Sequence, residues 1–520
     1  MKKIQYLLVL TAATFIATSC ADSYLNQEPG GSSITEEQYY RMDNAVEGLV
    51  KGVYPRLYSH FSDDHQSFGQ RAIDMYGDLL CGDMAMKTQN YGWFADHELM
   101  QTNNSRGLLW GYYYGIVRST NKAINAVESL GAPALVFDKD TLSEQQYNCG
   151  FYYAQALTLR GWAYSKLCNF FVAQEELETD LAIPIYTEAD TRVDTIIGGP
   201  LATVADLRLR IETDLLDAIQ YYEAYSDAHR GSKIEVNEDI ARIVLAYAYL
   251  NKGDNANALK YAEEAILKGK PVILQYVDVL STGFNDVSND NWLWGQDVTV
   301  ETTTGLASFF GQCDIYSYSY ASAGDVKGID KNLYEAIQPW DVRKYWWNNF
   351  SQTDPKKRFQ FAPDGKFYSA KSTKIQGDRD WLSDNVYMRW ELAYLIAAEA
   401  ACRNHDLTTA QNYLYAITDQ RVKVGDEAAY NTWKGTLSSE ATLLAAIKHN
   451  WRVELWGEGY GLQTFRRYGE AVSLGENHLR SEKNISPTMA RRFTFELPTG
   501  ETYYNPTLRT SINPQELHVR

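Results

Sequence analysis

Three local groupings in this sequence have the residue types for catalysis or metal binding. Glu454 and Glu458 stand four residues apart, which would put both carboxylates on one helical face. Two carboxylates flanking a glycosidic bond are the machinery of a glycoside hydrolase. Arg452 beside them, with Gly457 and Gly459 around the second acid, favours ion pairing and a helix end instead. His97-Glu98-Leu99-Met100-Gln101 has the zinc-protease spacing, but Gln101 replaces the second histidine and removes a metal ligand. His60 and His65 flank Asp63 and Asp64, a composition that fits a metal site or, more simply, a solvated loop. Asn285, Asp286 and Asn291 offer oxygens for calcium without the twelve-residue spacing of a calcium loop. No GxSxG, P-loop or nucleotide fingerprint occurs. These readings predict no catalytic residue, no metal centre and no cofactor, with structural calcium as the one option.

Aromatic residues are the compositional outlier, with 38 Tyr and 13 Trp among 520 residues. Tyrosine joins a flat apolar face to a polar tip, which suits sugars and protein interfaces as well as packing. The density is highest over residues 272–383, where Trp292, Trp294, Phe309, Phe310, Tyr316, Tyr318, Tyr320, Trp340, Trp346, Trp347 and Trp381 alternate with Gly, Ser, Asn and Asp. Trp292-Leu293-Trp294 and Tyr345 to Phe350 read as short strands and the remainder as long loops. Trp292 and Trp294 belong in a packed strand, and Trp340 beside Asp341 and Arg343 reads as structural. Long loops on a rigid frame are where binding usually sits.

That frame is mainly helical. Amphipathic spacing predicts helices over Gln38 to Tyr58, Trp110 to Leu130, Ala154 to Phe171 and Val204 to Tyr225, the last opened by Thr203 as N-cap. Two later segments repeat at an offset of 152. Ala241, Ala246, Asp254, Ala258 and Tyr261 correspond to Ala393, Ala398, Asp406, Ala410 and Tyr413. Each copy reads as a helix with small residues on one face, a short turn and a second helix, the pattern of tetratricopeptide hairpins. The expected architecture is one mainly α scaffold of such hairpins over residues 20–520, with residues 272–383 as a loop-rich insertion containing short strands.

The N-terminus bears on compartment. Lys2 and Lys3 precede an apolar run from Ile4 to Ala17, too short to span a bilayer, and then Thr18, Ser19 and Cys20. Small residues before a cysteine at the end of such a run form the bacterial lipoprotein pattern, with residues 1–19 removed and Cys20 acylated. A plain secretory signal with a chance cysteine is the alternative. Removal of Lys2 and Lys3 would deepen the formal charge of −17 by two, which disfavours nucleic acid and anionic lipid heads as partners. The other five cysteines, Cys81, Cys149, Cys168, Cys313 and Cys402, are scattered and form no disulfide framework.

Several segments, in order along nearly the whole chain, resemble the SusD/RagB family of outer-membrane glycan-capture lipoproteins of Bacteroidetes. They are Cys20 with Ser23-Tyr24-Leu25-Asn26 and Pro29; Asn121 to Ile124 within the helix Trp110 to Ala126; and Ala154 to Leu157 with Arg160 to Tyr164. Ile183 to Tyr186, Ala241-Arg242 through Asp254, Arg389 through Ala400, Glu454-Leu455, Glu458-Gly459, Pro498 and Asn505-Pro506 complete the resemblance. The family tends to carry an acid–arginine pair where Asn450 and Trp451 stand here.

The resemblance implies a non-catalytic protein, lipid-anchored in the outer membrane through Cys20 and facing the exterior. It would pass oligosaccharides to a SusC-like TonB-dependent transporter. It also implies a capture surface built from a loop early in the chain and from loops of the insertion. Tyr91, Trp93 and Phe94, beside Asn90 and Asp96, occupy the first position. Tyr316, Tyr318 and Tyr320 occupy the second, where alternation would point all three to one side if extended, and Trp381 is a third candidate. A secreted glycoside hydrolase and a helical protein-interaction scaffold are the competing readings.

Overall fold

The computed structural model describes residues 36–511 apart from 43, 101–104, 132, 175, 192–197, 227, 229, 281–283, 350–352, 355, 357–358, 369–380 and 489–492. Cys20 and residues 1–19 therefore lie outside the described residues. Ten helices form the frame: α1 (Gln70–Cys81), α2 (Arg106–Ser129), α3 (Glu144–Phe171), α4 (Val204–Ala224), α5 (Glu238–Lys252), α6 (Asn255–Gly269), α7 (Trp390–Arg403), α8 (Leu407–Thr418), α9 (Glu440–Glu454) and α10 (Gly461–Tyr468). Helices α2 to α8 pack each against the next, α9 packs on α7, and α10 packs on α1. The scaffold is the mainly α stack of hairpins that the sequence predicts. Among the described residues no helix is long and apolar enough to cross a membrane.

Helix starts follow from side chains that satisfy orphan N–H groups. Thr203 and Asp206 close a capping box at α4, as Thr203 predicts, and Ser143 and Gln146 do the same at α3. That second box explains why α3 starts at Glu144 and not at Ala154. In the repeated hairpins, Asp254 caps α6 and Asp406 caps α8, each accepting from the backbone three residues on at 3.1 and 3.0 Å. The matched alanines Ala241, Ala246, Ala258, Ala393, Ala398 and Ala410 are all fully buried, so paired helices approach closely. The turns differ in one place. Gly253 takes the left-handed conformation after α5 (φ 86°), whereas His405 holds the same position after α7 (φ 64°). A side chain there costs about 1–2 kcal/mol.

Two predicted elements differ. Gln38 to Tyr58 is not one helix but Glu36–Tyr40, Ala45–Lys51 and a 3-10 turn at Tyr54–Leu57, because Asn44 turns left-handed (φ 63°). Tyr345 to Phe350 is not a strand. Val342–Trp346 is a 3-10 turn whose start is capped by Asp341, and Phe350 lies outside the described residues.

The strands are short: β1 (Met84–Met86), β2 (Leu181–Pro184), β3 (Leu201–Thr203), β4 (Trp292–Gln296), β5 (Lys327–Ile329), β6 (Asn385–Arg389), β7 (Val472–Ser473) and β8 (Asn484–Ile485), and the pairs β1–β5 and β4–β6 join distant segments. The antiparallel pair β4–β6 closes the neck of the insertion, with Trp292 opposite Arg389 and Gln296 opposite Asn385. Trp294 packs edge-on against Trp162 of α3 at 5.3 Å, so Trp292 and Trp294 are core as expected. Trp340 is likewise buried, against Tyr430 and Trp433. The antiparallel pair β1–β5, with Met84 opposite Ile329, ties the segment after α1 to the far side of the insertion.

Candidate functional site: an aromatic cluster where three segments meet

The β1–β5 pair delivers two of the predicted segments to one place. Beyond β1 the chain turns outward, and the buried carboxylate of Asp325, just before β5, holds it there. Asp325 accepts hydrogen bonds from the backbone N–H groups of Asn90 (2.6 Å) and Tyr91 (2.8 Å). The Thr88 hydroxyl donates to the carbonyl of Gly324 at 2.6 Å. Tyr91 is 54% exposed, Trp93 is half-buried and Phe94 is fully buried. Phe94 therefore turns away from the surface, packing against Phe68 and Tyr76. It holds a left-handed backbone (φ 67°), with its N–H donating to the Gln66 side chain at 2.7 Å.

From the insertion comes Tyr320. Its ring meets Tyr91 edge-on at 5.0 Å and Trp93 at 6.4 Å. The predicted alternation of Tyr316, Tyr318 and Tyr320 does not occur, because serine side chains fold the run into turns. The Ser319 hydroxyl donates to the Asp314 carbonyl, and Ser319 and Ser322 exchange backbone-to-hydroxyl bonds of 3.1 and 2.9 Å. Tyr316 is sent the other way, its hydroxyl donating to Asp364. Tyr318 stays out, 46% exposed, beside Trp381 with centroids 6.5 Å apart. The Trp381 indole N–H donates to the Tyr318 carbonyl at 3.1 Å. Tyr91, Trp93 and Tyr320 thus form one cluster and Tyr318 with Trp381 a second pair, while Phe94 and Tyr316 belong to neither.

A third segment enters that sequence reasoning about aromatics missed. His65 lies flat on Trp93, centroids 5.2 Å apart and planes 11° off parallel, and its Nδ1 is hydrogen-bonded to the Tyr320 hydroxyl. Burial raises the pKa of the Tyr320 phenol. The histidine and acid composition of residues 60–65 reads as a solvated loop or, less simply, a metal site. Asp64 is used locally, accepting from Ser62 Oγ (2.9 Å) and Gln66 N–H (2.8 Å), and His60 faces Ser67 at 3.3 Å. Among the described residues no three His, Cys, Asp or Glu side chains converge as a metal site. Asn285, Asp286 and Asn291 direct their side chains to Tyr368, Ser288 and Glu391.

The paired glutamates have a different role from catalysis. Glu454 accepts from Arg343 (3.0 Å), Arg389 (3.0 Å) and Arg421 (2.9 Å), and Glu458 from Arg389 (2.9 Å) and Lys366 (2.7 Å). Glu391 joins through Arg389 and Arg421, and Asp341 through Arg343. All eight are buried, and four carboxylates meet four cations. Burial pushes the Glu454 carboxyl up, but Arg421, Arg389 and Arg343 overcome it and hold it well below the usual range. Arg389 and Lys366 do the same for Glu458, while burial pushes Lys366 down to about 8. A general acid needs a raised pKa, and neither glutamate has one. Asn450 completes the network by accepting from Arg343 at 2.8 Å, at the position where the family pattern departs.

The near-miss zinc motif is core. His97 stacks on Tyr76 at 3.8 Å, and burial pushes its pKa to about 3. Glu98 is taken by His478 (2.8 Å) and the Leu479 N–H (3.1 Å).

The chain matches two family patterns in succession. One, described as "Starch-binding associating with outer membrane", covers residues 23–245, and one for the "SusD family" covers residues 312–515. A SusD-like protein of Bacteroides ovatus is 27% identical over 247 residues, which are 48% of this chain and 40% of that protein. The match thus spans well under half the length of that relative. A SusD-like carbohydrate-binding protein of Bacteroides vulgatus superposes with a TM-score of 0.71 at 19% identity, over 90% of this chain and 97% of that one. A SusD superfamily protein of Bacteroides thetaiotaomicron gives 0.69 at 20% identity, over 89% and 98%. At such identities the likeness speaks for the fold, while the two patterns speak for descent. Since both patterns name the same lineage and lie in order along the chain, this protein belongs to the SusD/RagB family.

Proposed function

We propose that the protein captures an uncharged oligosaccharide or polysaccharide on Tyr91, Trp93 and Tyr320, with Tyr318 and Trp381 extending the surface. Anchored through lipid on Cys20 in the outer membrane and facing outward, it hands the glycan to a SusC-like TonB-dependent transporter without breaking a bond. The observation that carries this reading is the meeting of aromatic rings from segments more than 200 residues apart, with exposed Tyr91 and half-buried Trp93 resting on a Tyr320 that is only 7% exposed. A tyrosine ring held outward by a buried carboxylate clamp, beside a half-buried tryptophan, is poorly explained by core packing.

The chemistry is modest. Pyranose C–H faces lie on aromatic rings, each contact contributing about 0.5–1.5 kcal/mol by analogy with aromatic pairs. Two or three such contacts with some hydrogen bonds give roughly millimolar to micromolar affinity, weak enough for release. The charge of the surroundings argues for an uncharged ligand. The described residues of segments 62–66, 87–96, 299–305, 316–324 and 381–384 include Asp63, Asp64, Asp96, Glu301 and Asp384 against Lys87 as the one cation. A uronate or sulfate would meet repulsion there.

The test is retention of the soluble body from Ala21 onward on a panel of immobilised polysaccharides, beside an assay for released reducing sugar. Retention by a neutral polysaccharide without release is expected. Release would favour a hydrolase, and neither retention nor release would favour an interaction scaffold.

A further inference from the structure

The backbone around His65 is fixed from both sides. Its carbonyl accepts from the Gln312 amide at 2.9 Å, on the segment leading to Tyr320, and Gln312 in turn accepts from buried Lys327 of β5 at 2.8 Å. Gln66, the next residue, holds the N–H of Phe94 behind Trp93 at 2.7 Å and accepts the Tyr76 hydroxyl at its carbonyl. Ser67 closes the turn by donating to the carbonyls of Ser62 (2.8 Å) and Asp64 (3.1 Å). His65 therefore stands where the early loop and the insertion meet, on a turn braced to both.

Its side chain repeats that bridge. The rings of His65, Trp93 and Tyr320 form a triangle with centroid separations of 5.2, 5.7 and 6.4 Å. The Trp93 indole meets the Tyr320 ring edge-on, and the Tyr320 hydroxyl is hydrogen-bonded to His65 Nδ1. The polar tip of Tyr320 is thereby used internally, and the imidazole stacks on one face of the Trp93 indole.

We propose that His65 is the positioning residue of this aromatic platform: it holds Trp93 and Tyr320 at a fixed mutual angle, so that a sugar ring stacks on Trp93 only at the face His65 leaves free. The proposal rests on the capture reading above and adds a residue and an orientation to it. Preorganisation is the physical gain, since a platform fixed before binding loses less side-chain freedom on contact. Recognition at this point is then by ring face, with sugar hydroxyls read by other groups.

The experiment uses the soluble body and three variants, H65A, H65F and W93A, on immobilised soluble starch, galactomannan, xylan, mixed-linkage β-glucan and polygalacturonate. In parallel, the carbon-bound imidazole protons of His65, assigned by their loss in H65F, are recorded without ligand. Stacking on Trp93 predicts an upfield ring-current shift in the wild type that disappears in W93A. Binding of the retained neutral polysaccharide should fall at least fivefold in H65A. It should stay within about twofold of wild type in H65F, which keeps a flat ring on Trp93, with both variants melting within a few degrees of wild type. Equal retention of wild type and H65A, or no ring-current shift, overturns the proposal and leaves the capture reading standing. Wild type retained by none of the five overturns both.

Discussion

Asp325 and Tyr91 are separated by 234 residues, yet the buried carboxylate of one holds the backbone N–H of the other at 2.8 Å. A second bond to Asn90 makes the contact a two-point clamp on the loop that presents Trp93. Hydrogen bonds to a charged group contribute about 1.5–3 kcal/mol each, and an unpaired buried N–H costs about 1–3 kcal/mol. D325A should therefore lower stability by about 2–4 kcal/mol and weaken glycan binding at least tenfold, read by denaturant titration and calorimetry. Binding unchanged in a destabilised D325A would show that this loop does not carry the ligand.

Phe94 and Trp93 are neighbours in sequence with opposite roles. F94A should cost about 3–5 kcal/mol, the loss expected for a fully buried phenylalanine. Circular dichroism melting checks this. A small effect would mean that the left-handed turn at Phe94, and not its ring, secures the loop.

The buried network around Glu454 should behave as a structural joint between the insertion, which supplies Asp341, Arg343 and Lys366, and the C-terminal segments that supply Arg389, Glu391, Arg421, Glu454 and Glu458. E454Q leaves Arg343, Arg389 and Arg421 short of a countercharge, and removing one partner of a buried pair costs about 3–5 kcal/mol. Urea unfolding of E454Q measures the loss, with glycosidase activity absent before and after. Because Glu454 and Glu458 are depressed, their contribution is present above the unfolded carboxyl range and is lost as pH falls through their folded values.

Asp78 on α1 titrates in the opposite sense. Burial, with Asp83 and Asp74 nearby, pushes it up to about 8 although it accepts from the Gly461 N–H at 3.1 Å. The folded state keeps this proton while the unfolded chain gives it up near 4. Its contribution is therefore full below about 4 and declines as pH rises toward 8. D78N, which cannot ionise, should melt a few degrees above wild type at pH 9 and close to it at pH 5. A constant difference at both pH values would show that Asp78 is charged throughout.

Much of the frame was legible because its signals are local. Thr203, Asp254 and Asp406 cap helices within three residues of themselves, and the alanines of the repeated hairpins lie where close packing requires them. The failures have local causes that compete with periodicity. Asn44 turns left-handed inside an amphipathic stretch, and Ser319 and Ser322 bend a run whose alternation suggests a strand. The site was legible as segments but not as partners. His65 reads as part of an acidic loop because Tyr320, its partner, is 255 residues away. Separation also hides the cations of the Glu454 network: Arg343 and Lys366 reach it only once the insertion folds back, and Arg389 and Arg421 come from 65 and 33 residues away.

The central claim is that Trp93 belongs to a surface for uncharged glycans. The direct measurement is the affinity of wild type and W93A for whichever polysaccharide retains the wild type, with melting temperatures recorded alongside. The account predicts retention by a neutral polysaccharide, none by polygalacturonate, and at least tenfold weaker binding in a W93A protein that melts within a few degrees of wild type. Undiminished binding by a folded W93A, or retention confined to the uronate polymer, would contradict it.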